Sequence, residues 1–257
     1  MSEADPDLQP LVRDNIRLAA TVMLLRDGGA GLEVYMVQRP GRGDFPDLHV
    51  FPGGKVDEAD YAPEVCFGLE ADLASAQLGV AAGGLRYWVA VARECFEECG
   101  VLLVRKNGAP LVFDEALVDK FHRYRESLLA DDVSFSDICR QEDLHVDCQR
   151  LGYFSHWITP DLAPRRFDTR FFVAAMPQDQ ATLAHTFETA DDEWVAPRAA
   201  LENKGRGDWQ MIDPTLRSLE TLSKYDSVNE ALVDIQQGDH LMPLTDALNR
   251  QGMQKLR

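Results

Sequence analysis

Arg93-Glu94-Cys95-Phe96-Glu97-Glu98-Cys99-Gly100-Val101 places three carboxylates within about one and a half turns of a helix. At about 100° per residue, Glu94, Glu97 and Glu98 fall near 0°, 300° and 40°, so they share one stripe. Leu85, Trp88, Val89, Ala92, Cys95, Phe96 and Cys99 fall between roughly 100° and 220°. The same helix thus offers an apolar face to a core and a carboxylate face opposite it. Gly100 ends it as a C-cap would. Like charges at i,i+3 and i,i+4 repel by about 0.2–0.5 kcal/mol per pair, and Arg93 offsets part of this through Glu97 at i+4. Two readings remain: a solvated acidic face, or hard oxygen ligands for Mg²⁺ or Mn²⁺, which keep water and substrate phosphates as their other ligands.

Upstream stands Phe51-Pro52-Gly53-Gly54-Lys55-Val56-Asp57, a glycine turn whose backbone a ligand can approach closely. Together the two stretches resemble the Nudix box of the Nudix hydrolase superfamily: a Gly, five residues, a Glu, seven residues, then Arg-Glu-U-x-Glu-Glu-x-Gly-U, where U is aliphatic. Asp60 stands where the first Glu of that pattern is expected, and 32 residues, 25 more than seven, separate it from Arg93. An interrupted box with this first half is similar to the peroxisomal coenzyme A diphosphatase branch. So are Trp157-Ile158-Thr159-Pro160, Arg165-Arg166-Phe167-Asp168-Thr169 and Phe171-Phe172, and the likeness runs roughly from residue 17 to 225.

The resemblance implies that Glu94, Glu97 and Glu98 bind Mg²⁺ or Mn²⁺ together with a carbonyl at Gly53, and that Arg93 braces the helix against the preceding loop. It implies hydrolysis of the pyrophosphate bond of a nucleoside diphosphate derivative, with coenzyme A or acyl-CoA preferred. An ADP-ribose, NADH or nucleotide-sugar pyrophosphatase is the alternative within the class. A Nudix fold kept as a ligand-sensing module without turnover is the alternative outside it. Asp60, one methylene shorter than Glu, is not expected to reach the metal. Glu188, in Thr186–Trp194, is the candidate for a further carboxylate from a loop, against a solvated acidic turn. Arg165 and Arg166 are candidates to hold substrate phosphate, because a guanidinium fork matches phosphate oxygens. Arg39 is a weaker candidate of the same kind.

Hydropathy places antiparallel strands at 17–26 and 32–39 around a glycine-rich turn, then a short strand at 49–51. A short helix near 70–77 falls within the interruption, and 101–105 reads as a returning strand. Helices are expected at 114–130 and from Ser134 to Arg140, strands at 151–158, 169–175 and 193–196, and helices at 197–201 and from Asp213. This order predicts an α/β fold, an α/β/α sandwich around a mixed sheet with helical insertions. It reads as a tail at 1–16 and a single domain at 17–257, with insertions at 61–92 and 106–150 and C-terminal helices at 213–257.

The chain has 257 residues, 45% of them hydrophobic, enough for one large domain. Met1–Asp14 has neither a basic nor an apolar leader-like region, Lys255-Leu256-Arg257 is not a Ser-Lys-Leu address, and no apolar run reaches 18 residues. A cytoplasmic protein without membrane partners is expected. Five cysteines with no C-x-x-C pair argue against a disulfide framework or zinc, and Cys95 and Cys99 read as buried thiols. A net charge of −17 argues against nucleic acid as a partner but leaves a small-molecule nucleotide, since a divalent cation inverts the local field. Neither a Gly-x-Ser-x-Gly elbow nor a P-loop is present. Apolar surface on the C-terminal helices and the insertion leaves room for a homodimer.

Overall fold

The computed structural model describes residues 8–29, 31–40, 47–161, 163, 165–183, 191–238 and 240. A short strand, β1 (Val12–Arg13), folds back on β2 (Ile16–Gly28), whose apolar residues alternate between two faces. Leu18, Ala20, Val22 and Leu24 enter one buried cluster, while Met23 and Leu25 enter another. A strand with both faces covered belongs at the centre of a sandwich. β2 turns into β3 (Gly31–Gln38) as an antiparallel hairpin, as its glycine-rich turn foretold.

The two strands pair only from Leu25–Gly28 to Gly31–Val34 and then part. Into the gap come β4 (His49–Val50), paired with β3, and β5 (Gly53–Lys55), paired with β2. A single 3₁₀ turn at Glu58–Asp60 leads into the interrupting segment, which holds a second at Pro63–Val65, β6 (Cys66–Phe67), and α1 (Ala71–Leu78), close to the expected helix. The acidic helix is α2 (Leu85–Cys99), closed by Gly100 in the left-handed conformation (φ 71°). After it come β7 (Val104–Lys106), β8 (Ala109–Pro110), α3 (Glu115–Leu129), α4 (Phe135–Glu142) and β9 (Leu144–Asp147). Asp114 and Ser134 cap α3 and α4 by accepting from the amides of Leu117 and Asp137.

β10 (Leu151–Ile158) and β11 (Arg166–Ala175) then complete one side of the main sheet, and β12 (Asp191–Val195) the other. The order is β10-β11-β2-β3-β12, with β11 and β2 parallel and the other pairs antiparallel, a mixed sheet. α5 (Pro197–Arg206), α6 (Asp213–Leu222) and α7 (Val228–Gln237) supply Ala200, Leu219, Leu222, Ala231 and Ile235 to the core on one face. α2 packs on the other, so the α/β/α sandwich is present.

Three details differ from expectation. Val101–Leu103 is not a strand, because the side-chain amide of Gln180 donates to Leu102 O and accepts from Leu102 N (3.0 and 2.8 Å), replacing a neighbouring strand. The strand that follows, β7, joins a separate four-stranded sheet, β6-β9-β7-β8, whose other three strands come from the two insertions. Arg166, placed by the sequence in a loop, opens β11 opposite Ile16. Among the described residues no helix is long and apolar enough to cross a membrane.

Candidate functional site

The site forms where β2 and β3 part. Gly53 pairs with Thr21 and Gly54 with Ala20, which brings the glycine turn beneath α2. A Cβ at Gly53 would lie 2.5 Å from Ala20 O and 2.7 Å from Thr21 Cα, so backbone occupies the place of any side chain. A Cβ at Gly54 would lie 2.5 Å from Glu94 Oε1, so the Glu94 carboxylate rests in space that only glycine leaves. The Gly53 amide donates to Glu98 Oε2 at 2.9 Å, tying the far end of the stripe to the same turn.

Arg93, 6% exposed, organises the rest. Its Nε and Nη2 donate to the two oxygens of Asp60, both at 2.9 Å. Nη1 donates to Glu94 Oε1 (2.9 Å) and Glu97 Oε2 (3.0 Å), and Nη2 also to Lys55 O (2.7 Å). Burial works against its charge, but hydrogen bonds and attraction from Asp60, Glu94 and Glu97 more than reverse this, so Arg93 stays protonated. Asp60 is itself buried and accepts from the Asp57 amide at 2.8 Å. The Asp at the box's first acidic position thus anchors the arginine across the interruption, and both of its oxygens are engaged in doing so.

The carboxylate face is partly withdrawn from solvent, Glu94 buried and Glu97 and Glu98 half-buried. Glu94 is 7% exposed, and burial, with Glu98 and Glu97 adding repulsion against the pull of Arg93, pushes its carboxyl well above the usual range. Among the described residues no three His, Cys, Asp or Glu side chains stand as a ready metal-ligating group. Whether a divalent cation fits is therefore decided by donor chemistry. Two hard carboxylates, Glu94 and Glu97, meet at one guanidinium that is also shared with Asp60, Glu98 is tied to the adjoining glycine turn, and such an excess of negative charge is relieved by a cation. The donors match Mg²⁺ or Mn²⁺ in kind.

The arginine candidates separate. Arg165 and Arg166 line one cavity of about 280 Å³ with Asn15 and Arg17, two residues that sequence reading missed. Arg166 is held by Asp161 (2.5 Å) and by Thr159 O (3.1 Å). This cavity lies at the Ile16 end of β2. Three residues from Arg17 to Ala20, opposite Gly54, span on the order of 10 Å along a strand. Arg39 lies elsewhere, just beyond β3, its amide donating to Leu48 O. Glu188 falls outside the described residues. Cys95 and Cys99 are buried thiols within the core, as read from the apolar arc.

A model of the NUDT19 Nudix domain matches residues 80–222. Among curated proteins, the acyl-coenzyme A diphosphatase NUDT19 of Xenopus laevis is 26% identical, the match covering 77% of this chain and 61% of that protein. Its counterpart from Homo sapiens is 25% identical, with coverage of 78% and 63%. The chain spans about three fifths of the length of these relatives. Among solved structures, a NUDIX hydrolase from Alicyclobacillus acidocaldarius is similar with a TM-score of 0.66 at 25% identity, covering 85% of this chain and 96% of that one.

Proposed function

The chain belongs to the NUDT19 Nudix domain family, and on that premise we propose that it is a divalent-metal-dependent pyrophosphohydrolase acting on a nucleoside diphosphate derivative, coenzyme A or an acyl-CoA foremost. The observation that carries this reading is the carboxylate stripe itself: Glu94, Glu97 and Glu98 held on one helical face by Arg93 and the Gly53 amide. The choice of coenzyme A rests on the similarity to diphosphatases of that name.

Glu94, Glu97 and Glu98, with the Gly53 carbonyl, would hold Mg²⁺ or Mn²⁺. Bound there, the cation supplies Lewis-acid polarisation of the phosphoryl oxygens. The chain's own residues do the remainder. Arg93 fixes the rotamers of Glu94 and Glu97, so little reorganisation remains when substrate arrives. A carboxylate of the stripe accepts the proton of the attacking water. Water adds to one phosphorus, the bridging P–O bond breaks, and two phosphomonoesters leave. For coenzyme A these are a 3′,5′-phosphorylated adenosine and a phosphopantetheine. The cavity of Arg17, Arg165 and Arg166 takes an anionic part of the substrate outside the diphosphate.

Product release from a panel of CoA, acetyl-CoA, NADH, ADP-ribose and a diadenosine polyphosphate, with Mg²⁺ or Mn²⁺, tests the reading. CoA turnover above the other members is expected. Glu97→Gln and Glu98→Gln should each lower kcat by at least about 100-fold, in the range of losing a metal ligand or its orientation, with an unchanged circular dichroism spectrum. No turnover of any member overturns the enzyme, and wild-type rates in both variants overturn the role of the stripe.

A further inference from the structure

The last four carbonyls of a helix have no partner within it, and where a helix carries a site, whatever satisfies them also fixes the site's final turn. For α2 the accounting is complete. Phe96 O accepts from the Gly100 amide (3.0 Å) and Cys99 O from the Leu183 amide (2.7 Å). The two between them, Glu97 O and Glu98 O, are the peptide carbonyls of two of the stripe's three carboxylates. Both are taken by Arg125 of α3. Its Nε and Nη2 donate to Glu97 O at 3.0 and 2.8 Å, and Nη2 donates to Glu98 O at 3.1 Å. The same Nη2 reaches Leu183 O at 2.8 Å.

Arg125 is 7% exposed, and its charge sits at the negative end of the α2 dipole, where a cation is stabilised. The fit is close: a Cβ at Gly100 would meet Arg125 Nη1 at 3.2 Å and Leu183 Cβ at 3.4 Å. Nothing in the reaction requires an arginine on α3, which lies in the helical insertion after the box. Its hydrogen bonds to Glu97 O and Glu98 O act on the backbone that carries the carboxylates.

We propose that Arg125 is a positioning residue for the metal-binding carboxylates: from the 106–150 insertion it locks the final turn of α2, sets the aim of Glu97 and Glu98, and clamps Leu183 to the same guanidinium. This rests on the reading of Glu94, Glu97 and Glu98 as metal ligands. An ordinary helix cap would contribute to stability alone. A positioning residue also sets metal affinity, because ligands aimed at random lose their preorganisation. Lysine keeps the charge at the helix end but not the planar fork, so it separates the dipole from the geometry.

Mn²⁺ binding by electron paramagnetic resonance, on the full chain without substrate, tests this directly, with circular dichroism to establish folding. Arg125→Gln is expected to weaken Mn²⁺ binding about 10-fold, as loss of a supporting partner does at other metal sites, and to lower kcat with little change in the KM for CoA. Arg125→Lys is expected to recover stability but less than half of the logarithmic loss in affinity. A folded Arg125→Gln or Arg125→Lys protein with wild-type Mn²⁺ affinity overturns the proposal. Should Arg125→Gln not fold, the folded Arg125→Lys protein decides by the same criterion. A wild-type chain that binds no Mn²⁺ overturns the underlying metal reading instead, a result distinct from unaltered binding in the variants.

Discussion

Asp168 illustrates at single-residue scale how this sheet manages buried charge near its arginine-lined end. It faces α2 from β11, 7% exposed, accepting from His156 Nε2 (2.7 Å) and from Arg170 Nη1. Burial alone raises a carboxyl pKa; here the His156 hydrogen bond and the Arg170 charge outweigh it and hold the Asp168 carboxyl below its ordinary 3.8. The sign follows by linkage. A depressed acid contributes stability above its unfolded-state pKa and loses it as pH falls through the folded-state value. Asp168→Asn leaves Arg170 buried without its carboxylate, so a loss of about 3–5 kcal/mol is expected at pH 7. Urea unfolding at pH 7 and again near pH 3 measures it. The gap between the two proteins should begin to narrow as pH falls below 3.8, where Asp168 of the unfolded chain takes up its proton, and a gap unchanged at pH 3 would remove the ion pair as its source. None of this was legible in the sequence, where His156, Asp168 and Arg170 are unremarkable members of two strands. What joins them is register, Ile158 opposite Asp168 and His156 opposite Arg170. The resemblance implied that Arg93 braces the helix against the preceding loop, but its partner Asp60 was hidden for a related reason, since the interruption puts 32 residues between them.

At the scale of elements, α2 was the most legible part of the chain, because a 15-residue helix with one apolar arc and a terminal glycine carries period, face and end in its own residues. The β2–β3 hairpin was legible for the same reason: alternation and a glycine turn are local. The second sheet was not. Its strands run from two to four residues, too short for any period, and its pairs join Cys66 to Val146 and Val104 to Val146 across long separations. How the interruption docks was equally unreadable, and it turns on one glycine. A Cβ at Gly84 would fall 2.6 Å from Ala74 C and 2.7 Å from Ser75 Cα, with no flexible side chain to give way, while the Gly84 amide donates to Ser75 Oγ at 3.0 Å. Gly84→Ala should therefore push α1 off the start of α2 and cost about 1–3 kcal/mol, the usual range for overpacking. Chemical denaturation reads the cost. A neutral substitution would mean that α1 does not sit on α2 this closely in solution.

On the scale of the whole molecule, the consequence of the second sheet is that α2 is an interior helix. It packs on β2 and β5 from one side and meets β6, β9, α1 and α3 on others. Every residue from Leu85 to Phe96 is buried, Arg86, Arg93 and Glu94 included. The sequence predicted one apolar face and one acidic face, which is right for the stripe but understates the enclosure, because the covering elements come from both insertions and not from the helix itself. A chain of net charge −17 thereby keeps Glu94 buried and Glu97 and Glu98 only half exposed, where repulsion is less screened than on an open helix. Such a helix should open only with the fold as a whole. In hydrogen exchange followed by mass spectrometry, peptides spanning 85–99 should therefore exchange as slowly as those of β2 and β11, and far more slowly than those of α5, which packs from the outer face with only Pro197 and Ala200 buried. Exchange of α2 ahead of β2 would show that the second sheet lifts away independently. The insertions would then be a cover over the site rather than part of its frame.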